Sequence, residues 1–230
     1  MSAPAAAPIG LAPGVPRQAA GQDAAKYGST NPVVTRLLDR WTGKLRGVIG
    51  PITGTVVDVG VGEGLCLARV LAPAPGAGAP ADEAPAVGTG PAPRVVGVEY
   101  RFDKACVAGG LAGVDVTVGD AGMLPVADRA ADLVLCIEVL EHLPTVPPAV
   151  AELARITRGR CVVSVPYEPW FRLGNLGRGK NIGRLGNDPE HLRAYTPSRL
   201  RRALEASFAR VQVIPVFPWL VAEAREPRDA

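Results

Sequence analysis

Two periods of hydrophobic and polar residues alternate along this chain. Short β-branched runs occur at Thr55–Gly60, Arg94–Glu99, Val114–Val118, Asp132–Ile137 and Arg160–Val165. The first, with Val56, Val57 and Val59, has the composition of a buried parallel strand. Between them, apolar positions recur at helical spacing: Leu65, Leu67, Ala68 and Leu71, then Phe102–Leu111, then Pro147–Thr157 with prolines in its first turn. Upstream, Asn31-Pro32 reads as a cap and first turn, and Val33, Leu37, Leu38, Trp41, Leu45 and Val48 mark one helical face that Gly50-Pro51 ends. Strands alternating with helices predict an α/β, Rossmann-like, doubly wound sheet, mostly parallel, with helices on both faces. After Pro166 the pattern changes. Residues 167–195 show no clear period, Pro197–Phe208 reads as a helix, and Val211–Ile214 and Trp219–Glu223 read as late strands separated by prolines. That ending suits an antiparallel hairpin, so the expectation is about seven strands with a reversed terminal strand.

Composition adds the boundaries. With 230 residues, the chain is long enough for one α/β domain with a proper core. Residues 1–25 are rich in Ala, Pro and Gly and read as a disordered tail, leaving 26–225 as a single domain. Residues 73–93 are nearly all Pro, Ala and Gly and read as a flexible insertion, because the strand pattern resumes directly after them. A net charge of +3 singles out no partner. Cys66, Cys106, Cys136 and Cys161 fall in apolar patterns without a Cys-x-x-Cys pair, which predicts buried free thiols in a reducing, cytoplasmic setting. No apolar run spans a bilayer, and the N-terminus has no secretory pattern.

The densest chemistry lies at Val56–Gly64, where a strand containing Asp58 runs into Gly60, Gly62 and Gly64 at every second position, with a helix following. Glycines let a backbone pass close to a ligand. A dinucleotide fingerprint needs a glycine where Leu65 stands, and Glu63 would face the pyrophosphate. The pattern Asp58-x-Gly60-x-Gly62-x-Gly64 instead resembles motif I of the class I S-adenosylmethionine-dependent methyltransferases, and in particular the small type that includes the ubiquinone-pathway enzymes. The resemblance runs from about Tyr27 to Phe208, less the insertion. It implies S-adenosyl-L-methionine as cofactor and assigns roles to the acids at successive strand ends. Glu99 would take the ribose hydroxyls. Asp120 and the Ala121 N–H would read adenine. Ile137 and Glu138 would lie beside the methionine part, and Asp58 would order the glycine loop.

Methyl transfer is an in-line displacement, so the protein mainly positions the acceptor, and an oxygen or nitrogen acceptor also needs a base or a metal to take its proton. The two histidines, His142 and His191, fall in segments on the acceptor side and are the candidate catalytic groups. In Glu138-Val-Leu-Glu141-His142 a helical turn would set Glu138, Glu141 and His142 on one face, a set able to hold Mg²⁺. This run resembles the metal cluster of ubiquinone-pathway O-methyltransferases and small-RNA 2′-O-methyltransferases, the latter adding a distant histidine for which His191 stands. Glu-His at this place is also common in small methyltransferases that bind no metal. Residues 167–195 would form the acceptor cover, and Arg172–Arg202 holds eight Lys/Arg against two acids, an attraction for an anionic acceptor. The leading expectation is O- or N-methylation of a small molecule. RNA is the alternative substrate, and a non-catalytic cofactor-binding protein is the third reading.

Overall fold

The structure, a computed structural model, describes residues 26–71, 92–168, 170–177, 183 and 190–228. The expected tail at 1–25 and nearly all of the insertion at 73–93 lie outside the described residues. Helix α1 (Pro32–Ile49) starts where Asn31 Oδ1 accepts hydrogen bonds from the Val33 and Val34 N–H groups, at 2.9 and 3.4 Å, with Pro32 at the first helical position. It buries Leu38, Trp41, Leu45 and Ile49 and stops at Gly50, whose φ is +56°.

The elements that follow are β1 (Thr55–Val59), α2 (Leu65–Leu71), β2 (Arg94–Glu99), α3 (Phe102–Ala108), β3 (Val114–Val118), β4 (Ala131–Ile137), α4 (Pro147–Ile156), β5 (Thr157–Pro166), α5 (Trp170–Gly177), α6 (Pro197–Glu205), β6 (Phe208–Val216) and β7 (Trp219–Pro227). They form one seven-stranded sheet in the order β3-β2-β1-β4-β5-β7-β6. Strands β1 to β5 pair in parallel, and β7 is antiparallel to both β5 and β6. Alternation along β1 divides the core. Val57 and Val59 join Leu153, Leu200 and Leu204 of α4 and α6, whereas Val56 joins Leu38, Trp41 and Leu67 of α1 and α2.

Several expectations shift. Helix α3 ends at Ala108 rather than Leu111, before Gly109 and Gly110. Strand β5 begins at Thr157, so α4 stops one residue early, and α6 ends at Glu205. The late strands are longer than their apolar cores, because mutual pairing carries them to Phe208–Val216 and Trp219–Pro227 through polar positions. Helix α5 occupies residues expected to lack regular structure. Two cysteines depart from the expected burial: Cys106 is exposed and Cys66 half-buried, while Cys136 and Cys161 are buried on adjacent strands β4 and β5.

Candidate functional site

The chain leaves β1 toward β2 and β3 on one side, then crosses back to place β4 on the other side of β1. Such a reversal opens a crevice at the carboxyl ends of the strands. The glycine turn lies at that point. Gly60, Gly62 and Gly64 have φ of +78°, +58° and +79°, a region that L side chains resist. Space forbids side chains at two of them as well: a Cβ on Gly60 would lie 2.3 Å from Val139 Cγ2, and one on Gly64 2.2 Å from Leu111 Cδ1. Glu63 is buried within the turn.

Glu99, at the end of β2, is locked onto this turn. Its Oε2 accepts from the Gly62 N–H at 2.9 Å and its Oε1 from the Arg101 N–H at 2.9 Å. The Gly62 N–H is therefore engaged with the neighbouring acid. Asp58 sits deep in β1 between Gly97 of β2 and Leu135 of β4. Burial, then the Glu99 charge, pushes its carboxyl up to about 7. Beyond β3, the Asp120 carboxylate accepts from the Gly122 N–H at 2.7 Å and is exposed, and the Gly119 N–H donates to the Glu99 carbonyl at 3.0 Å. Ala121 is half-buried beside it. The backbone thus brings Asp120 alongside Glu99, with Tyr100, Phe102, Val118 and Met123 exposed at the same sheet end.

Arg155 of α4 holds the loop that carries Asp120. Its guanidinium pairs with Glu152 at 2.7 Å and Asp128 at 2.5 Å, and donates to the carbonyls of Val126 and Leu124 at 2.8 and 3.1 Å. Glu152 in turn accepts from the Leu124 N–H at 2.6 Å. These partners raise the Arg155 pKa, the Glu152 hydrogen bond foremost.

At the end of β4, Ile137 is buried and Glu138 turns the chain with φ +59°. The run 138–142 is not a helical turn, so the expected shared face of Glu138, Glu141 and His142 is corrected. Glu138 Oε2 takes an ion pair from Lys26, and its Oε1 is buried without a hydrogen-bond partner. The donor group that does form is Glu141, His142 and His191, with one ligand atom from each within 4.8 Å of the others. His142 Nδ1 lies 3.0 Å from the Glu190 carbonyl oxygen. The His142 and His191 ring centroids are 5.1 Å apart. Both Glu141 carboxylate oxygens are buried without a hydrogen-bond partner, and burial, reinforced by Glu138, raises its pKa well above the ordinary value.

The two histidines meet because the backbone after Glu190 docks on the β4 turn. Leu192 and Arg193 N–H groups donate to the Glu141 carbonyl at 2.9 and 3.2 Å, and the Arg193 side chain binds the carbonyls of Leu143 and Pro144. Much of the basic cover, including Arg178, Lys180 and Arg184, lies outside the described residues. Sequence reasoning missed Lys26 and the buried Glu168, whose Oε2 has no hydrogen-bond partner. A lone lysine ahead of a helix and an acid between Tyr167 and Pro169 carry no periodic signal that marks them.

The strand order with its single reversed strand, and the left-handed glycine turn clamped to the acid of β2, define the class I methyltransferase architecture. Residues 57–163 match the family of methyltransferase domains, and this domain match together with the fold indicates a class I S-adenosylmethionine-dependent methyltransferase. Three solved structures share the fold. A SAM-dependent methyltransferase from Aquifex aeolicus is 15% identical with a TM-score of 0.57, over 89% of this chain and 98% of that one. A SAM-dependent methyltransferase from Thermotoga maritima is 18% identical with a TM-score of 0.57, over 87% and 97%. The YcgJ protein of Bacillus subtilis is 16% identical with a TM-score of 0.58, over 82% and 98%. No curated protein matches the sequence. Among the described residues, no helix is long and apolar enough to cross a membrane.

Proposed function

We propose that this enzyme methylates an oxygen or nitrogen atom of a small-molecule acceptor, with Glu141, His142 and His191 as the acceptor-side centre. The observation that carries this reading is the buried carboxylate of Glu141, unpartnered and set against two imidazoles. Such a group suits a hydroxyl or ammonium acceptor, which must lose a proton as it takes the methyl group.

The residues present fit the cofactor. Glu99 is already oriented by two N–H bonds and would accept the ribose hydroxyls on its remaining lone pairs. Asp120 and Ala121 would contact the adenine, and Ile137 and Glu138 the methionine part. Asp58 and Gly60, Gly62 and Gly64 shape the turn beneath. Bound there, the cofactor supplies the activated methyl group. His142 keeps its Nδ1–H on the Glu190 carbonyl, leaving Nε2 to accept the acceptor's proton. Arg193 is engaged with backbone carbonyls, which favours a small acceptor over a polyanion at this segment.

Labelled cofactor offered to separate metabolite and RNA pools tests this reading. Label in small molecules, little changed by salt, is expected. Label in RNA with a steep salt dependence would overturn it. His142→Ala should lower kcat by about 10²–10⁴-fold with cofactor affinity retained.

The same cluster favours a second reading, a divalent cation held by Glu141, His142 and His191, with Glu138 excluded by its pairing to Lys26. Two imidazoles and one carboxylate suit zinc or another transition metal better than Mg²⁺, which prefers oxygen ligands. A cation there would bind the acceptor oxygen and lower its pKa. Activity undiminished by chelation would end this second reading.

A further inference from the structure

Lys26 stands just ahead of α1, and its ammonium lies against three aromatic faces. The ring centroids of Trp41, Tyr27 and Trp219 are 5.0, 5.3 and 5.3 Å from Nζ. Trp41 and Trp219 stack on each other at 4.8 Å and are buried, and Trp41 Nε1 donates to Ser164 Oγ at 2.9 Å, so this wall is fixed. The ammonium's anionic partner is Glu138 Oε2. Glu138 is itself held from behind, its N–H donating to the Ser164 carbonyl at 2.8 Å, and its second carboxylate oxygen is buried and unpartnered.

Glu138 directly follows β4, so this ion pair lies at the carboxyl end of that strand, where the crevice of such a sheet opens. Cys66, in the first turn after Gly64, is hydrogen-bonded by Tyr27 and lies within electrostatic reach of Asp58, Lys26 and Glu138 together. The amino-acid end of the cofactor carries an ammonium and a carboxylate on one carbon. A lysine and a glutamate side by side present the complementary charges.

We propose that Lys26 and Glu138 form a clasp for that zwitterionic end. Lys26 binds the carboxylate, Glu138 binds the ammonium, and the two pair with each other when the ligand is away. This rests on the cofactor-site reading above and adds Lys26 to it. One partly exposed ion pair is exchanged for two charge-assisted contacts, while the aromatic wall keeps the lysine close in both states.

The test compares S-adenosylmethionine with decarboxylated S-adenosylmethionine, which lacks only the carboxylate, by calorimetry on the full chain. The wild type should prefer the intact cofactor by about tenfold or more. Lys26→Met should bring the two affinities to within about twofold, and Lys26→Arg, which keeps the charge, should retain most of the preference. Equal affinities in the wild type would overturn the clasp with no variant needed. So would a Lys26→Met protein that keeps the wild-type ratio, the result expected if the lysine only pins the N-terminal segment to the sheet. Binding of neither ligand by the wild type would instead refute the cofactor site itself.

Discussion

Glu99 holds both oxygens on backbone N–H groups in the ligand-free protein, so its orientation costs little when a diol arrives. Asp58 behaves differently. Its folded-state pKa of about 7 lies above the ordinary 3.8, so the native state keeps a proton that the unfolded chain releases. The stabilisation from protonated Asp58 is complete below the ordinary value and is lost as pH rises toward 7. Among its charged and titratable neighbours, Glu99 raises it further, and Cys66 and Cys136 lie within electrostatic reach. The thermal midpoint of the ligand-free protein should therefore fall as pH rises between about 5 and 7, with a contribution of at most about 1.4 kcal/mol per pH unit. Asp58→Asn should flatten that fall without abolishing it, since Glu141 is shifted in the same direction by burial. An unchanged profile would contradict the assignment. Asp58 and Glu99 were legible as acids at a strand and its end. The conformation of Glu138 was not: a positive φ after a strand has no signature when the residue is not glycine, and with 138–142 non-helical Glu138 pairs with Lys26 and stands outside the Glu141, His142 and His191 group.

Among the elements, the glycine turn was the most readable, because each of its glycines is required by φ and two of them also by space. Gly60→Ala should cost about 1–3 kcal/mol in stability and weaken cofactor binding, both measurable by denaturation with and without ligand. Wild-type behaviour would show that the turn tolerates a side chain. The loop between β3 and β4 depends on Arg155. Arg155→Met should lower stability by about 1–3 kcal/mol and speed amide exchange at Leu124 and Val126, and unchanged exchange there would refute the clamp. Helix α5 was not legible, since Gly174 and Gly177 dilute its apolar positions and leave no period. Nor was the meeting of His142 with His191. That depends on backbone bonds from Leu192 and Arg193 to the Glu141 carbonyl, which side-chain pattern does not encode.

Across the molecule, alternating strand and helix patterns specified a doubly wound sheet, while the order of strands came only with the structure. The reversed strand is β7, inserted between β5 and β6, so β6 rather than β7 forms the edge. Turn residues announce a hairpin but not which arm joins the existing sheet. This order sets the crevice between β1 and β4, and with it the proximity of the glycine turn, Glu99 and the acceptor-side centre. The most direct test is equilibrium binding of S-adenosylmethionine to the wild type and to Glu99→Ala. The wild type should bind at micromolar concentrations, and Glu99→Ala should bind about tenfold or more weakly, for the loss of a charged hydrogen-bond acceptor. Equal affinity of the two proteins, or no binding by the wild type, would contradict the placement of the cofactor on this turn.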